Sequence, residues 1–168
     1  MHKVFFLIIS IFCLIPDLSY CLVKKGDKAP NFLIVDAENK TVNLYEFKEK
    51  VIIIEFLSTK CFACDYVIPD INRLYEKYNN SNVKIMGVLF RDEIDNADKL
   101  KEFKESRQIK YPLYVSDTNN KKHYNVYGFP NFFILNEKKE IVHIFRGITK
   151  DTFGLLNKEI EILLQGKK

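Results

Sequence analysis

Two cysteines stand three residues apart in Cys61-Phe62-Ala63-Cys64, following closely on an apolar run and opening a segment with helical spacing. Backbone N–H groups at a helix start have no intrahelical partners, and the helix dipole turns its positive end toward them. Both effects favour a thiolate over a thiol. Cys61, the first and more exposed, is the expected attacking sulfur, with the positive charge of Lys60 beside it. Cys64, one turn further in, is placed to attack a mixed disulfide and release the partner. A structural staple is a weak alternative, because closing so small a loop gains only about 2 kcal/mol. A zinc site needs four ligands; with no second cysteine pair, His123 and His143 would have to fill in.

Glu55 is the only charge in the run Val51-Ile-Ile-Ile-Glu-Phe-Leu57. If this strand is buried, the carboxyl is desolvated and holds its proton above the ordinary carboxylate range. An acid of that kind, on the strand leading to Cys61, could take and return the proton of Cys64. The alternative is a solvated strand end with Glu55 pointing outward. Gly128-Phe129-Pro130 leads into another strand. A cis Phe129–Pro130 bond would expose backbone groups for strand-like docking of a substrate, although local sequence alone favours the commoner trans form.

The elements that must position these residues can be read from periodicity. Residues 31–36 and 41–44 form two short strands split by Glu38, Asn39 and Lys40. Residues 51–57 suit a central strand buried on both faces. From Cys61 to Tyr78, Val67, Ile71, Leu74, Tyr75 and Tyr78 recur at threes and fours, the stripe of an amphipathic helix. Residues 83–90 read as a second buried strand and 97–107 as a charged helix with Leu100 and Phe103 inward. A strand over 111–115 is followed by a short polar helix or turn through His123. Residues 132–135 and 141–145 make a hairpin, and a helix over 149–164 closes the chain. Such an order implies an α/β fold, a central mixed β-sheet with helices on both faces.

With 168 residues, 47% hydrophobic and 29% charged, the chain has the size and balance of one soluble globular domain. The net charge of +4 is too small to argue for nucleic acid, and a monomer that binds none is expected. Residues 1–21 have the layout of a secretory signal peptide: a positive start, an apolar run broken only by Ser10, then a polar stretch to Cys21. The run is shorter than the roughly 20 residues a bilayer demands. Cleavage after Cys21 is expected, with lipidation of Cys21 or an uncleaved anchor as alternatives. Residues 22–30 then form a lead-in, 31–165 the domain and 166–168 a tail. Cys13 is discarded and Cys21 lies at the cut, so the mature chain keeps one cysteine pair, too few for a disulfide scaffold. The expected location is the periplasm or a secretory compartment.

Together these residues resemble the thioredoxin-like superfamily, and more closely its exported TlpA/ResA-like branch. Lys28-Ala-Pro-Asn-Phe32 is similar to that branch's opening motif, residues 51–64 to its active-site segment, and Pro69 to the proline of its helix. Tyr124-Asn-Val-Tyr-Gly-Phe-Pro130 resembles the segment ending in the family's cis-proline. The resemblance implies a thioredoxin-like fold with an N-terminal β extension and a thiol–disulfide oxidoreductase. Its redox centre would be a Cys61–Cys64 disulfide, flanked by Lys60, Phe62 and Ala63, with no metal or other cofactor. Substrate would bind at Phe129 and at a cis Pro130. The partners it implies are protein thiols or disulfides and an upstream, membrane-bound thiol donor. The chain departs from the family at Lys60, Ala63 and Val67, where Trp, Pro and Glu are usual. Glu55 matches the buried acid of thioredoxin itself, so the acid–base role is expected on the strand. Phe62-Ala63 lacks the His of strongly oxidising relatives, which points toward a reductase. A thiol peroxidase is an alternative, since peroxiredoxins share the fold and the Ala29-Pro30 motif, although Ser58 and Ile54 stand where they carry Thr and Pro. A copper carrier using Cys61, Cys64 and His143 is another.

Overall fold

A computed structural model describes residues 22–166. The expected signal peptide, with Cys13 and Cys21, and the last two residues lie outside them. The β-branched run forms β3 (Val51–Phe56), buried at every position and lying inside a seven-stranded sheet. The strand order is β2 (Thr41–Asn43), β1 (Leu33–Val35), β5 (Leu113–Ser116), β4 (Val83–Phe90), β3, β6 (Asn131–Asn136) and β7 (Ile141–Arg146). β3 runs parallel to β4 and antiparallel to β6, and β4 runs parallel to β5, so the sheet is mixed. β1 and β2 are the N-terminal extension, antiparallel to each other and joined antiparallel to β5 through β1.

The helices are α1 (Phe62–Tyr78), α2 (Ala97–Ser106), the four-residue α3 (Asn120–His123) and α4 (Thr152–Leu164). The links β3–α1–β4 and β4–α2–β5 step across the sheet in the same direction. Right-handed crossovers in one direction put both helices on one face. Accordingly Cys64, Val67, Ile71 and Leu74 of α1 join Leu100 and Phe103 of α2, and Leu156 and Ile160 of α4, over Val51, Ile53 and Leu57. The opposite face carries an aromatic layer in which the Phe56 ring lies 5.5 Å from Phe90, 5.6 Å from Phe133 and 5.0 Å from Tyr124. That layer is covered by Ala29, Phe32, Leu44 and the segment after α3. The long helices thus all lie on the side of the cysteines, and the helical element in the aromatic layer is the single 3-10 turn Leu44–Glu46.

Several boundaries differ from the periodic reading for local reasons. β5 begins at Leu113, not Tyr111, because Pro112 has no N–H for a ladder and Tyr111 turns fully inward. β1 stops at Val35 because Asp36 Oδ1 accepts the N–H groups of Glu38 (2.9 Å) and Lys40 (2.8 Å), opening a turn. α4 starts at Thr152 because Asp151 caps it, its Oδ1 accepting the Gly154 N–H at 2.7 Å. The lead-in is stitched to the β6–β7 hairpin: Ala29 N–H donates to Lys139 O and Gly26 N–H to Ile141 O, both at 2.8 Å.

Candidate active site

Cys61 is the residue before α1, extended at φ −101° and ψ 97°, and its sulfur accepts the Cys64 N–H at 3.0 Å. A sulfur is therefore the side-chain cap of this helix, where an oxygen is usual. The two cysteines are joined as a disulfide, with their Cα atoms 5.2 Å apart. Cys64 is 1% exposed, whereas Cys61 is half-buried, so the first sulfur is the one a partner can reach. Lys60 is exposed beside it, Phe62 is 88% exposed and Ala63 half-buried.

The loop before Cys61 is tethered on two sides. Thr59 donates its N–H (2.8 Å) and hydroxyl (3.3 Å) to Glu93 Oε2, and its carbonyl accepts from Arg107 Nη2 at 3.1 Å. Arg107 Nε also donates to Asp65 Oδ1 at 2.5 Å. Arg107 thereby links the segment before Cys61 to the first turn after Cys64, and offsets an acidic charge close to the sulfur pair.

Alternation along β3 puts Glu55 with Val51, Ile53 and Leu57 on the face that α1 covers. Its neighbours in register are Gly87 on β4 and Phe132 on β6. Glu55 is 0% exposed, so the solvated alternative does not hold. The Tyr111 hydroxyl donates to Glu55 Oε2 at 2.7 Å, and Oε1 has no hydrogen-bond partner among the described residues. Burial pushes the Glu55 carboxyl up to about 7, against the opposing pull of the Tyr111 hydrogen bond. Burial and the facing carboxylate push Tyr111 far above its ordinary value, so it stays a donor.

Tyr111 and Gly87 escaped the sequence reading. A Cβ at position 87 would lie 2.5 Å from Leu113 Cδ2 and 3.0 Å from Tyr111 Cε2, so the missing side chain is what admits the tyrosine ring. The available signal was a glycine inside a buried strand, which marks the close approach of another group.

The Phe129–Pro130 bond is cis, as the family resemblance implied and local sequence alone did not. Pro130 O is occupied, accepting the Gly147 N–H at 2.8 Å. Arg146 Nη1 donates to Asn125 O at 2.9 Å and to Asn131 Oδ1 at 2.7 Å, holding the segment from the other side. Phe129, Pro130, Arg146 and the exposed Tyr127 border a cleft of about 420 Å³. Phe129 packs against the same core cluster as Cys61. The two candidate metal histidines have other neighbours: His123 Nδ1 lies 3.2 Å from Asn120 Oδ1, and the His143 ring stacks on Phe145 with Nδ1 3.5 Å from Glu159. Among the described residues, no three His, Cys, Asp or Glu side chains gather into a group that could hold a metal.

Residues 25–144 match the AhpC/TSA family. The thiol-disulfide oxidoreductase ResA of Bacillus thuringiensis subsp. konkukian is 32% identical over 123 residues, which cover 73% of this chain and 69% of that protein. A solved Chlorobium tepidum chain, described as a thiol:disulfide interchange protein DsbE, superposes with a TM-score of 0.74 at 20% identity, covering 84% of this chain and 99% of that one. StoA from Bacillus subtilis gives a TM-score of 0.64 at 21% identity, over 77% and 96% of the two chains. At those identities the solved structures speak for the fold, and the closer sequence relative speaks for the chemistry of the sulfur pair. The chain belongs to the AhpC/TSA family, among its thioredoxin-like thiol–disulfide oxidoreductases.

Proposed function

We propose that the protein reduces disulfides of exported proteins, with Cys61 as nucleophile, Cys64 as resolving thiol and Glu55 as the acid–base group. The observation that carries this reading is the asymmetry of the pair: one sulfur capping a helix at the surface, the other closed beneath it. In the reduced protein the Cys61 thiolate attacks a substrate disulfide, forming a mixed disulfide and expelling one substrate thiolate. Glu55 then takes the proton of Cys64. The Cys64 thiolate attacks Cys61 Sγ, the bond to the substrate breaks, and the second substrate thiolate leaves with the electron pair. The proton on Glu55 passes to a departing thiolate. Two electrons have moved from the cysteine pair to the substrate, and an upstream dithiol must return them.

Docking falls to the cleft beside Phe129 and Pro130 and to the exposed ring of Phe62. The reducing direction rests on Phe62-Ala63, which has no imidazole to stabilise the reduced pair. Export rests on the layout of residues 1–21. No helix among the described residues is long and apolar enough to cross a membrane. The test is insulin reduction with dithiothreitol as donor. Cys61→Ser and Cys64→Ser should each lose turnover, and Cys64→Ser should accumulate a mixed disulfide. Normal turnover by both variants would end the proposal, and fast peroxide consumption that survives Cys64→Ser would replace it with a thiol peroxidase.

A further inference from the structure

The Glu55 carboxyl is enclosed in the core with its two oxygens in different circumstances: Oε2 is held by the Tyr111 hydroxyl at 2.7 Å and Oε1 by nothing among the described residues. A terminal carboxyl torsion is broad and roughly two-fold, so without a donor its two oxygens would interchange. We propose that Tyr111 is a positioning residue for the proton step, anchoring Oε2 so that Oε1 is the oxygen that exchanges a proton with Cys64. This rests on the acid–base reading of Glu55 given above and adds a residue to it.

Three features make Tyr111 suited to the task. Its ring is fully buried and fits against the bare backbone of Gly87, which restricts where the hydroxyl can go. Its own ionisation lies far above the working range, so it donates in both protonation states of Glu55. A hydroxyl hydrogen bond is also stronger to a carboxylate than to a carboxylic acid, so Tyr111 favours release of the proton that burial favours keeping. β4 presents Gly87 to Glu55 and β6 presents Phe132, neither of which titrates. From α1 and its N-cap the cluster on that face takes in Cys64 and Cys61, together with Tyr75 and with Tyr78, whose hydroxyl is given to Asn157 Oδ1 at 2.8 Å. Tyr111 is the group whose hydrogen bond acts on the Glu55 carboxyl.

The experiment compares wild type, Glu55→Gln, Tyr111→Phe and the double variant in insulin reduction from acid to alkaline pH. Wild type should show an inflection near neutrality that Glu55→Gln lacks. Tyr111→Phe should keep the inflection but move it up by about one pH unit, making turnover at neutral pH about five-fold slower. The double variant should match Glu55→Gln. If Glu55→Gln removes the inflection while Tyr111→Phe leaves it in place, Tyr111 only packs and the inference is overturned with the Glu55 reading intact. If Glu55→Gln keeps the wild-type profile, both fall. A second measurement needs no tyrosine variant: the carbonyl stretch of protonated Glu55, identified by its loss in Glu55→Gln, should lie at the frequency of a hydrogen-bonded acid. A free-acid frequency would overturn the inference.

Discussion

Replacing Glu55 by Gln keeps the side chain's shape and an acceptor for Tyr111 but removes a titrating group from the core. The folded carboxyl sits at about 7 against an ordinary 4.5. Between those values the folded chain holds a proton that the unfolded chain has given up. The unfolded state therefore binds fewer protons, and stability declines as pH rises through this window. The penalty is absent below the lower value and complete above the upper one. At roughly 1.4 kcal/mol per pH unit it amounts to about 3 kcal/mol. Glu55→Gln escapes it, so relative to the variant the wild type should lose about 3 kcal/mol between about pH 4 and about pH 8. Urea unfolding of the disulfide form measures this directly. With a slope of about 2 kcal/mol per molar, the wild-type midpoint should fall by about 1.5 M relative to that of the variant across the range. A gap between the two midpoints that stays constant would show that the folded carboxyl is not desolvated, and the acid–base role would lose its physical basis.

Arg107→Ala should release the Thr59 carbonyl and leave Asp65 uncompensated near the sulfur pair. The expected cost is about 1 kcal/mol in unfolding, with slower alkylation of Cys61 in the reduced protein at neutral pH; unchanged alkylation would remove Arg107 from the site. Phe62→Ala should leave stability within about 0.5 kcal/mol, since the ring is 88% exposed, yet slow the reduction of insulin more than that of a small aromatic disulfide. Equal slowing of both would argue against docking at Phe62.

The legible parts of this fold are those in which local sequence and tertiary demand agree. The run at residues 51–57, apolar at every position but Glu55 and opening on four β-branched residues, reads as a doubly covered strand, and β4 falls on the residues read for it. Helical spacing after Cys61 placed the cysteine pair at a helix start, and the lone charge in a buried strand marked Glu55. What stayed hidden depends on contacts between residues far apart in the chain. Tyr111 meets Glu55 from 56 positions away, through a space that exists only because residue 87 has no side chain. Arg107 reaches Asp65 across 42 positions, although in the sequence it reads as one more charge at a helix end. The placement of the three longer helices on one face follows from sheet order, which no window of sequence contains.

Strand β3 is hydrogen-bonded on both edges, and its residues alternate between the helical side and the aromatic side without a break. Inserting or deleting one residue there would exchange odd and even positions, sending the carboxyl in among Phe90, Tyr124 and Phe133. Tyr124 could not rescue it, because its hydroxyl is already given to the Pro30 carbonyl at 2.6 Å. The surrounding loops can lengthen while Glu55 stays on the helical side, but the parity of these six residues is fixed.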